Sequence, residues 1–307
     1  MPEGEQLVVV AGEALIDLVP GDHGALRGHP GGGPFNAART LARLERPVAY
    51  LGRLSCDRFG RDLRAALAAD GVRLDTVVDT EDPTTLALAE VDARGSALYR
   101  FYVEGTSAPG LTLEDARARL PETPAVLFVG TLGLVLEPMA ATYEALVAEA
   151  DDATLVFLDP NVRPSVIADA AAYRARLDRV LGRADVVKAS VEDLEWLEPT
   201  ATAEEAARTL LARGPVVALV TTGGDGALVV TANRAEPVAG ARADVVDTIG
   251  AGDAFGGGFL AWWTRAGLGR VDLADLGHVV DATRYACAVA ARTCERAGAD
   301  PPRADEV

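Results

Sequence analysis

Apolar and polar positions alternate along this chain on two length scales. Short runs that are apolar at nearly every position fall at residues 7–11, 49–53, 126–129, 155–158, 186–187 and 216–220. A strand covered on both faces needs no polar side, so these runs predict the strands of a buried parallel sheet. Between them, residues 35–44, 60–69, 138–150, 170–181, 203–212 and 275–296 repeat their apolar side chains at helical spacing. Strand and helix in alternation predict βαβ units. The expected fold class is therefore α/β, a mostly parallel central sheet flanked by helices.

One region breaks this rhythm. Residues 84–91 and 97–103 are strand-like and are joined by Asp92-Ala93-Arg94-Gly95-Ser96. In the second run Leu98, Arg100 and Tyr102 alternate with Tyr99, Phe101 and Val103. A period of two predicts a hairpin inserted into the α/β domain, a small β-sheet suited to act as a lid over a cleft.

Charge narrows the choice of partners. The 307 residues carry 46 acidic against 29 basic side chains, a net charge of −17. Such a surface repels nucleic-acid phosphates and anionic lipid, so neither nucleic acid nor a membrane is an expected partner. An anionic ligand would need backbone N–H groups, arginines or a metal ion. The longest apolar stretch, 125–136, is too short to span a bilayer and contains Thr131. Residues 1–6 are acidic and lack the basic start of a secretory signal. Cys56, Cys287 and Cys294 form no CxxC pair, which suits a reducing cytoplasm. Cys287 and Cys294, seven apart on one helix face, read as small buried residues. His23, His29 and His278 are too scattered for a metal site.

Three glycine clusters carry the chemistry. The segment Asp247-Thr248-Ile249-Gly250-Ala251-Gly252-Asp253 leads into a helical pattern beginning near Ala254. A glycine-rich turn at a helix N-terminus offers unpaired N–H groups and the positive end of the dipole. The amides of Gly250, Ala251 and Gly252 thus suit one phosphoryl group. Asp253 repels a phosphate unless it has a task there, and removing a proton from an attacking hydroxyl is such a task. Asp is also simply favoured in a first helical turn, but that accounts for neither the Gly-Ala-Gly run nor Asp247. The carboxylate of Asp247 and the carbonyl of Ile249 are hard oxygen ligands suited to an alkali cation. A capping role for Asp247 is the alternative. The second cluster, Gly31-Gly32-Gly33-Pro34-Phe35-Asn36, opens a helix; its glycines admit close approach, and Asn36 can both donate to and accept from a hydroxyl. The third, Thr221-Thr222-Gly223-Gly224-Asp225-Gly226, reads either as a hairpin turn or as glycines lying against a nucleotide. Two other readings fail. The only lysine, Lys188, precedes Ala189, so there is no Walker A loop. A dinucleotide fingerprint is missing because the third glycine, Gly256, falls one place late.

These three clusters, in this order, resemble the ribokinase-like carbohydrate kinases over essentially the whole chain. Gly12-Glu13-Ala14-Leu15-Ile16-Asp17, Asp159-Pro160-Asn161-Val162-Arg163-Pro164 and the ending Ala291 to Asp300 are most like the fructokinase branch. The resemblance implies one ribokinase-like domain over 1–307, with a lid from about 12–30 and 82–106. It implies ATP, Mg²⁺ and K⁺ as cofactors, and a homodimer formed through the lid. Asp253 becomes the catalytic base, and the Gly250–Gly252 amides become the anion hole. Asp17, Gly32, Gly33, Asn36 and Arg163 go to the sugar, with Tyr99, Phe101 or Tyr102 closing over it. Thr222, Gly224 and Gly226 go to the nucleotide. The family's Asn-x-x-Glu near the metal-bound phosphates is replaced here by Ser190-Val191-Glu192-Asp193. Lys188 offers a cation nearby, although a single lysine is usually a surface residue. The expected reaction is phosphoryl transfer from ATP to a primary sugar hydroxyl, with fructose O6 as the acceptor. Ribose, 2-keto-3-deoxygluconate or a nucleoside would use the same catalytic parts. A non-catalytic sugar sensor would have no need of Asp253.

Overall fold

The computed structural model of the chain describes residues 6–21, 25–91 and 97–307. The expected hairpin turn at 92–96, residues 1–5 of the acidic N-terminus and His23 lie outside these. The central sheet has eight strands, numbered along the chain: β1 (Val8–Ala11), β4 (Val48–Leu51), β9 (Val126–Gly130), β10 (Leu155–Asp159), β11 (Val186–Ser190), β12 (Val217–Thr221), β13 (Gly226–Val230) and β14 (Ala235–Ala239). Their order is 14-13-12-11-10-9-1-4. The first six by sequence pair in parallel, and β13 and β14 close one edge antiparallel. The fold is thus α/β, with the mostly parallel sheet that the apolar runs predict.

Successive residues of a strand point to opposite faces, and both faces are covered. Val8, Val10, Phe128 and Phe157 pack under α1 (Gly33–Arg43), α2 (Arg58–Asp70), α8 (Ala251–Arg265) and α9 (Leu276–Cys294). Val9, Leu127, Val129 and Leu158 pack under α3 (Leu113–Arg119), α4 (Met139–Glu149), α5 (Ala170–Leu181), α6 (Val191–Leu197) and α7 (Ala203–Leu211). The run at 186–187 extends to Ser190 because Lys188, polar in sequence, is buried inside β11.

A four-stranded sheet stands apart, in the order β3 (Leu26–Gly31), β2 (Leu15–Pro20), β7 (Leu86–Val91), β8 (Ala97–Tyr102). The expected hairpin β7–β8 is therefore half of a larger sheet. Its other half follows β1 directly and joins it through the parallel β2–β7 pair. A third pair, β5 (Arg53–Ser55) with β6 (Val78–Thr80), has no counterpart among the predicted strands.

Three consecutive glycines set the height of α8. A Cβ on Gly257 would lie 2.8 Å from Thr40, one on Gly258 3.0 Å from Val289, and one on Gly256 3.3 Å from Phe128. The helix is wedged against α1, α9 and the sheet at once, and this close packing fixes where its N-terminus points.

Candidate active site

The parallel strands end at one edge of the sheet, and their C-terminal ends carry polar residues: Glu13 beyond β1, Thr131 beyond β9, Asn161 and Arg163 beyond β10, Ser190 closing β11 and Thr221 closing β12. Strand order reverses at β1, which lies between β4 and β9. The crevice outside such a switch point is where α/β sheets bind ligands. Two clefts open there. One, of about 390 Å³, is lined by Glu13, Asp17, Gly32, Gly33, Asn36, Tyr99, Phe101, Thr131, Arg163 and Asp253, among others. The other, of about 900 Å³, is lined by Ser190, Glu192, Asp193, Thr221, Gly223, Gly224, Gly226, Val245, Phe255, Cys287 and Cys294, among others. They meet at Asn161, Lys188, Thr248 and Gly252.

The junction is the N-terminus of α8. Gly250 is the N-cap in the left-handed region, with φ 76°. A Cβ there would also lie 2.6 Å from that of Ala299, so glycine is required on two counts. Among the described residues the N–H groups of Gly250, Gly252 and Asp253 have no hydrogen-bond acceptor, whereas that of Ala251 donates to Thr248 O at 3.3 Å. The free donors are therefore offset from the expected trio of Gly250, Ala251 and Gly252. Asp253 is the third helical residue and turns into the smaller cleft, where Asn36 Nδ2 donates to its Oδ2 at 2.9 Å. Burial raises the Asp253 pKa, opposed by the Asn36 hydrogen bond and the charges of Lys188 and Arg163.

Lys188 lies directly beneath this turn. It is only 3% exposed, and its Nζ donates to Asp159 Oδ2 at 2.9 Å. A Cβ on Gly252 would sit 3.0 Å from that Nζ. Burial opposes the lysine's charge, but Asp159 and Asp193 outweigh burial and hold its pKa above the ordinary value. Burial pushes Asp159 up to about 6 against the pull of Lys188. The pair is thus ionised near neutral pH. The chain's only lysine is a buried cation under the glycine turn that opens α8, contrary to the usual surface location.

The small sheet turns Leu15, Asp17, Tyr99 and Phe101 toward the smaller cleft. Tyr102, one step out of phase on β8, is 49% exposed and does not line it. Gly31 leaves room for the Asp17 carboxylate, since a Cβ there would fall 2.0 Å from Asp17 Oδ2 and would turn that side chain from its present position. Burial and the neighbouring Asp253 push Asp17 up to about 7, while Arg163 pulls it down. Arg163 makes two long contacts, both 3.3 Å, to the carbonyls of Asn161 and Val162, and has no ion-pair partner among the described residues.

Several expected residues sit differently from their sequence reading. Asp193 and Ser190 form the capping box of α6, and both Asp193 oxygens are engaged: Oδ2 accepts from Ser190 N at 2.8 Å, and Oδ1 from Val162 N at 2.6 Å. Asp193 therefore ties β11 to the Asn161–Arg163 loop. On that wall of the larger cleft, Glu192 is the carboxylate without a hydrogen-bond or ion-pair partner among the described residues. The third glycine cluster forms the turn between β12 and β13, and its glycines also line the larger cleft. Thr221 rather than Thr222 faces that cleft. Both Asp247 oxygens accept backbone N–H groups, Oδ1 from Ile249 at 3.0 Å and Oδ2 from Gly298 at 2.8 Å. The carbonyl of Ile249 has no partner among the described residues. Cys287 is buried but Cys294 only half-buried, and both line the larger cleft. Glu13, Thr131 and Asn161 line the smaller cleft without having been expected there. Glu13 and Asn161 stand inside motifs noted in the sequence, but Thr131 carries no sequence signal.

Residues 5–306 match the model of the pfkB family carbohydrate kinases. The chain belongs to this family of kinases. It is 35% identical over 259 residues to a fructokinase of Rhizobium leguminosarum bv. trifolii, covering 83% of this chain and 79% of that protein. The structure of a Xylella fastidiosa fructokinase with bound ATP superposes with a TM-score of 0.89 at 27% identity, covering 98% of this kinase and 97% of that one. A double mutant of the Vibrio cholerae O395 fructokinase, solved with fructose, ADP and potassium, superposes with a TM-score of 0.85 at 29% identity, covering 97% and 95%. No helix among the described residues of the kinase is long and apolar enough to cross a membrane.

Proposed function

We propose that this kinase transfers the γ-phosphoryl group of ATP to O6 of fructose. The observation that carries the reading is the meeting of two clefts at Gly252 and Lys188, with Asp253 on the side of the smaller one. The smaller cleft suits a sugar: carboxylates and amides for hydroxyls, Tyr99 and Phe101 for the apolar ring face. The larger suits a nucleotide, with Val245, Phe255 and Ala290 available to a base and Gly223 and Gly224 to ribose and phosphate. Asp253 takes the proton of the attacking hydroxyl, the new O–P bond forms, and the β–γ bridge breaks to release ADP. The free amides and Lys188 stabilise charge on the transferring group. The small sheet acts as a lid that excludes water.

Mg²⁺ is bound largely by phosphates and water, with one or two carboxylates, and Glu192, beside Asp193, is a carboxylate of the larger cleft without a partner among the described residues. Bound there, the ion neutralises phosphate charge. A monovalent cation also fits. Each Asp247 oxygen keeps a lone pair beyond its backbone bond, and the Ile249 carbonyl is free; a cation held by them steadies the turn that carries Gly250 and Gly252. The three free cysteines and the absence of a spanning helix among the described residues are consistent with a cytoplasmic enzyme.

The test is ATP turnover against fructose, ribose, 2-keto-3-deoxygluconate and nucleosides, each in K⁺, Na⁺ and a bulky organic cation. Fructose in K⁺ is expected to be fastest, with phosphate on O6 of the product. Another acceptor exceeding fructose would overturn the substrate assignment. Equal rates in the three cations would reduce Asp247 to a cap.

We also propose a homodimer formed through the lids. Leu26 (56% exposed) and Tyr102 lie on the sheet face turned away from the cleft, and β3 and β8 are open edges. Pairing two lids about a two-fold axis covers both. Light scattering at micromolar concentration should return twice the chain mass; a monomer mass ends the idea.

A further inference from the structure

Glu13 has no part in the mechanism above, yet it is a buried carboxyl, 2% exposed, at the edge of the smaller cleft. It follows β1, and its side chain reaches Thr131, which follows the neighbouring strand β9. The contact therefore crosses the crevice at the switch point. Glu13 Oε1 also accepts the N–H of Gly33, in the first turn of α1, at 3.3 Å. One side chain thus joins three segments that are far apart in sequence.

Two of those segments have unusual backbone conformations that leave little room for adjustment. Thr131 has a φ of 54°, which β-branched residues rarely adopt. Gly32 has a φ of 109°, and a Cβ on it would fall 2.6 Å from Glu13 O. Gly33 faces the reacting groups, since a Cβ there would lie 2.7 Å from Thr131 Cγ2, 3.2 Å from Asp253 Oδ1 and 3.4 Å from Asn161 Nδ2. Glu13 is itself held from behind: the Tyr50 hydroxyl donates to Gly12 O at 2.7 Å, and the Tyr143 hydroxyl lies between Leu51 O at 3.0 Å and Gly12 O at 3.4 Å. The bracing runs from the core, through residues 12–13, to the cleft wall that abuts the base.

We propose that Glu13 is a positioning residue of the sugar cleft, fixing the Gly32–Gly33 backbone and the Thr131 turn against Asp253. The proposal rests on reading the smaller cleft as the sugar site. Misplacing reacting groups by about 1 Å can cost about 10²-fold in rate, so a residue that only holds the wall has a measurable role.

The experiment compares Glu13→Ala, Glu13→Gln and Thr131→Val with the unaltered chain. Kinetic constants for fructose and ATP, melting temperatures and amide hydrogen exchange at residues 31–36 and 131–134 are measured for each. Glu13→Ala is expected to lower kcat/KM for fructose by about 10- to 100-fold while the KM for ATP stays within twofold, and to speed exchange at Gly33. Glu13→Gln keeps an acceptor for Gly33 and offers a donor to Thr131, so it should recover most of the loss. Thr131→Val removes the other end of the contact and leaves the buried Glu13 carboxyl with only the Gly33 amide, so it should reproduce the fructose-selective defect. Equal losses for both substrates in step with melting temperature, or a Gln variant as damaged as the Ala variant, would overturn the proposal. So would unchanged exchange at Gly33. Exchange is read without any sugar, so it decides the role of Glu13 even if the unaltered chain fails to phosphorylate fructose, a failure that counts against the substrate assignment alone.

Discussion

The Asp253→Asn variant is expected to bind fructose within a few-fold of the unaltered enzyme and to lose about 10²–10⁴-fold in kcat. Asn keeps the size of Asp and an oxygen for the Asn36 amide, which donates to Asp253 Oδ2 at 2.9 Å. It lacks the basicity needed to take the hydroxyl proton. Burial raises the Asp253 pKa, more strongly than Asn36, Lys188 and Arg163 lower it. The base is active only when ionised, so kcat of the unaltered enzyme should fall as pH drops through that raised pKa, above the ordinary carboxylate range. In Asp253→Asn this limb should vanish from the residual rate. Steady-state kcat across pH, with calorimetric fructose affinity, checks both points. A variant with near-normal kcat would remove Asp253 from its role.

The second large effect is at Lys188. Lys188→Met leaves the Asp159 carboxylate buried with no counter-charge, and breaking a buried pair from one side costs about 3–5 kcal/mol. That corresponds to a melting temperature lower by roughly 10 °C in a chain of this size. Without Lys188 the Asp159 pKa, already about 6, rises further. A carboxyl whose folded pKa exceeds its unfolded one stabilises most at low pH and loses that contribution as pH rises through the folded pKa. The defect in Lys188→Met should therefore be smaller at pH 5 than at pH 8. Adding Asp159→Leu removes the stranded charge, and replacing a buried pair by apolar residues is often neutral, so much of the stability should return. Activity should not return, because the cation beneath Gly252 is still missing. Calorimetric melting and kcat on the two single variants and the double variant separate the roles. A double variant with full kcat would reduce Lys188 to a counter-ion for Asp159.

The sheet was legible because burial on both faces demands unbroken apolar runs, and Val8–Ala11 and Val126–Gly130 have no other reading. The glycine turn at the start of α8 was equally legible, because Gly250 needs a positive φ there. Elements whose stability comes from partners far along the chain were less so. Strands β2 and β3 are short, β3 is largely exposed and glycine-rich, and their apolar signal is weak; the pairing of β2 with β7 supplies what their composition does not.

Period, glycine placement and charge type are local properties, so the layers and the class of chemistry could be read from the chain alone. What each polar group does depends on which partner arrives, and the folded arrangement of strands and loops sets that. Asp193, similar in sequence to a phosphate-side residue, spends both oxygens on Ser190 and Val162. Lys188, typical of a surface, is buried because Asp159 on the neighbouring strand neutralises it. Glu13 and Thr131 are 118 residues apart and meet because β1 and β9 lie side by side where the strand order reverses. No local pattern encodes that meeting; it follows from the order of strands in the sheet.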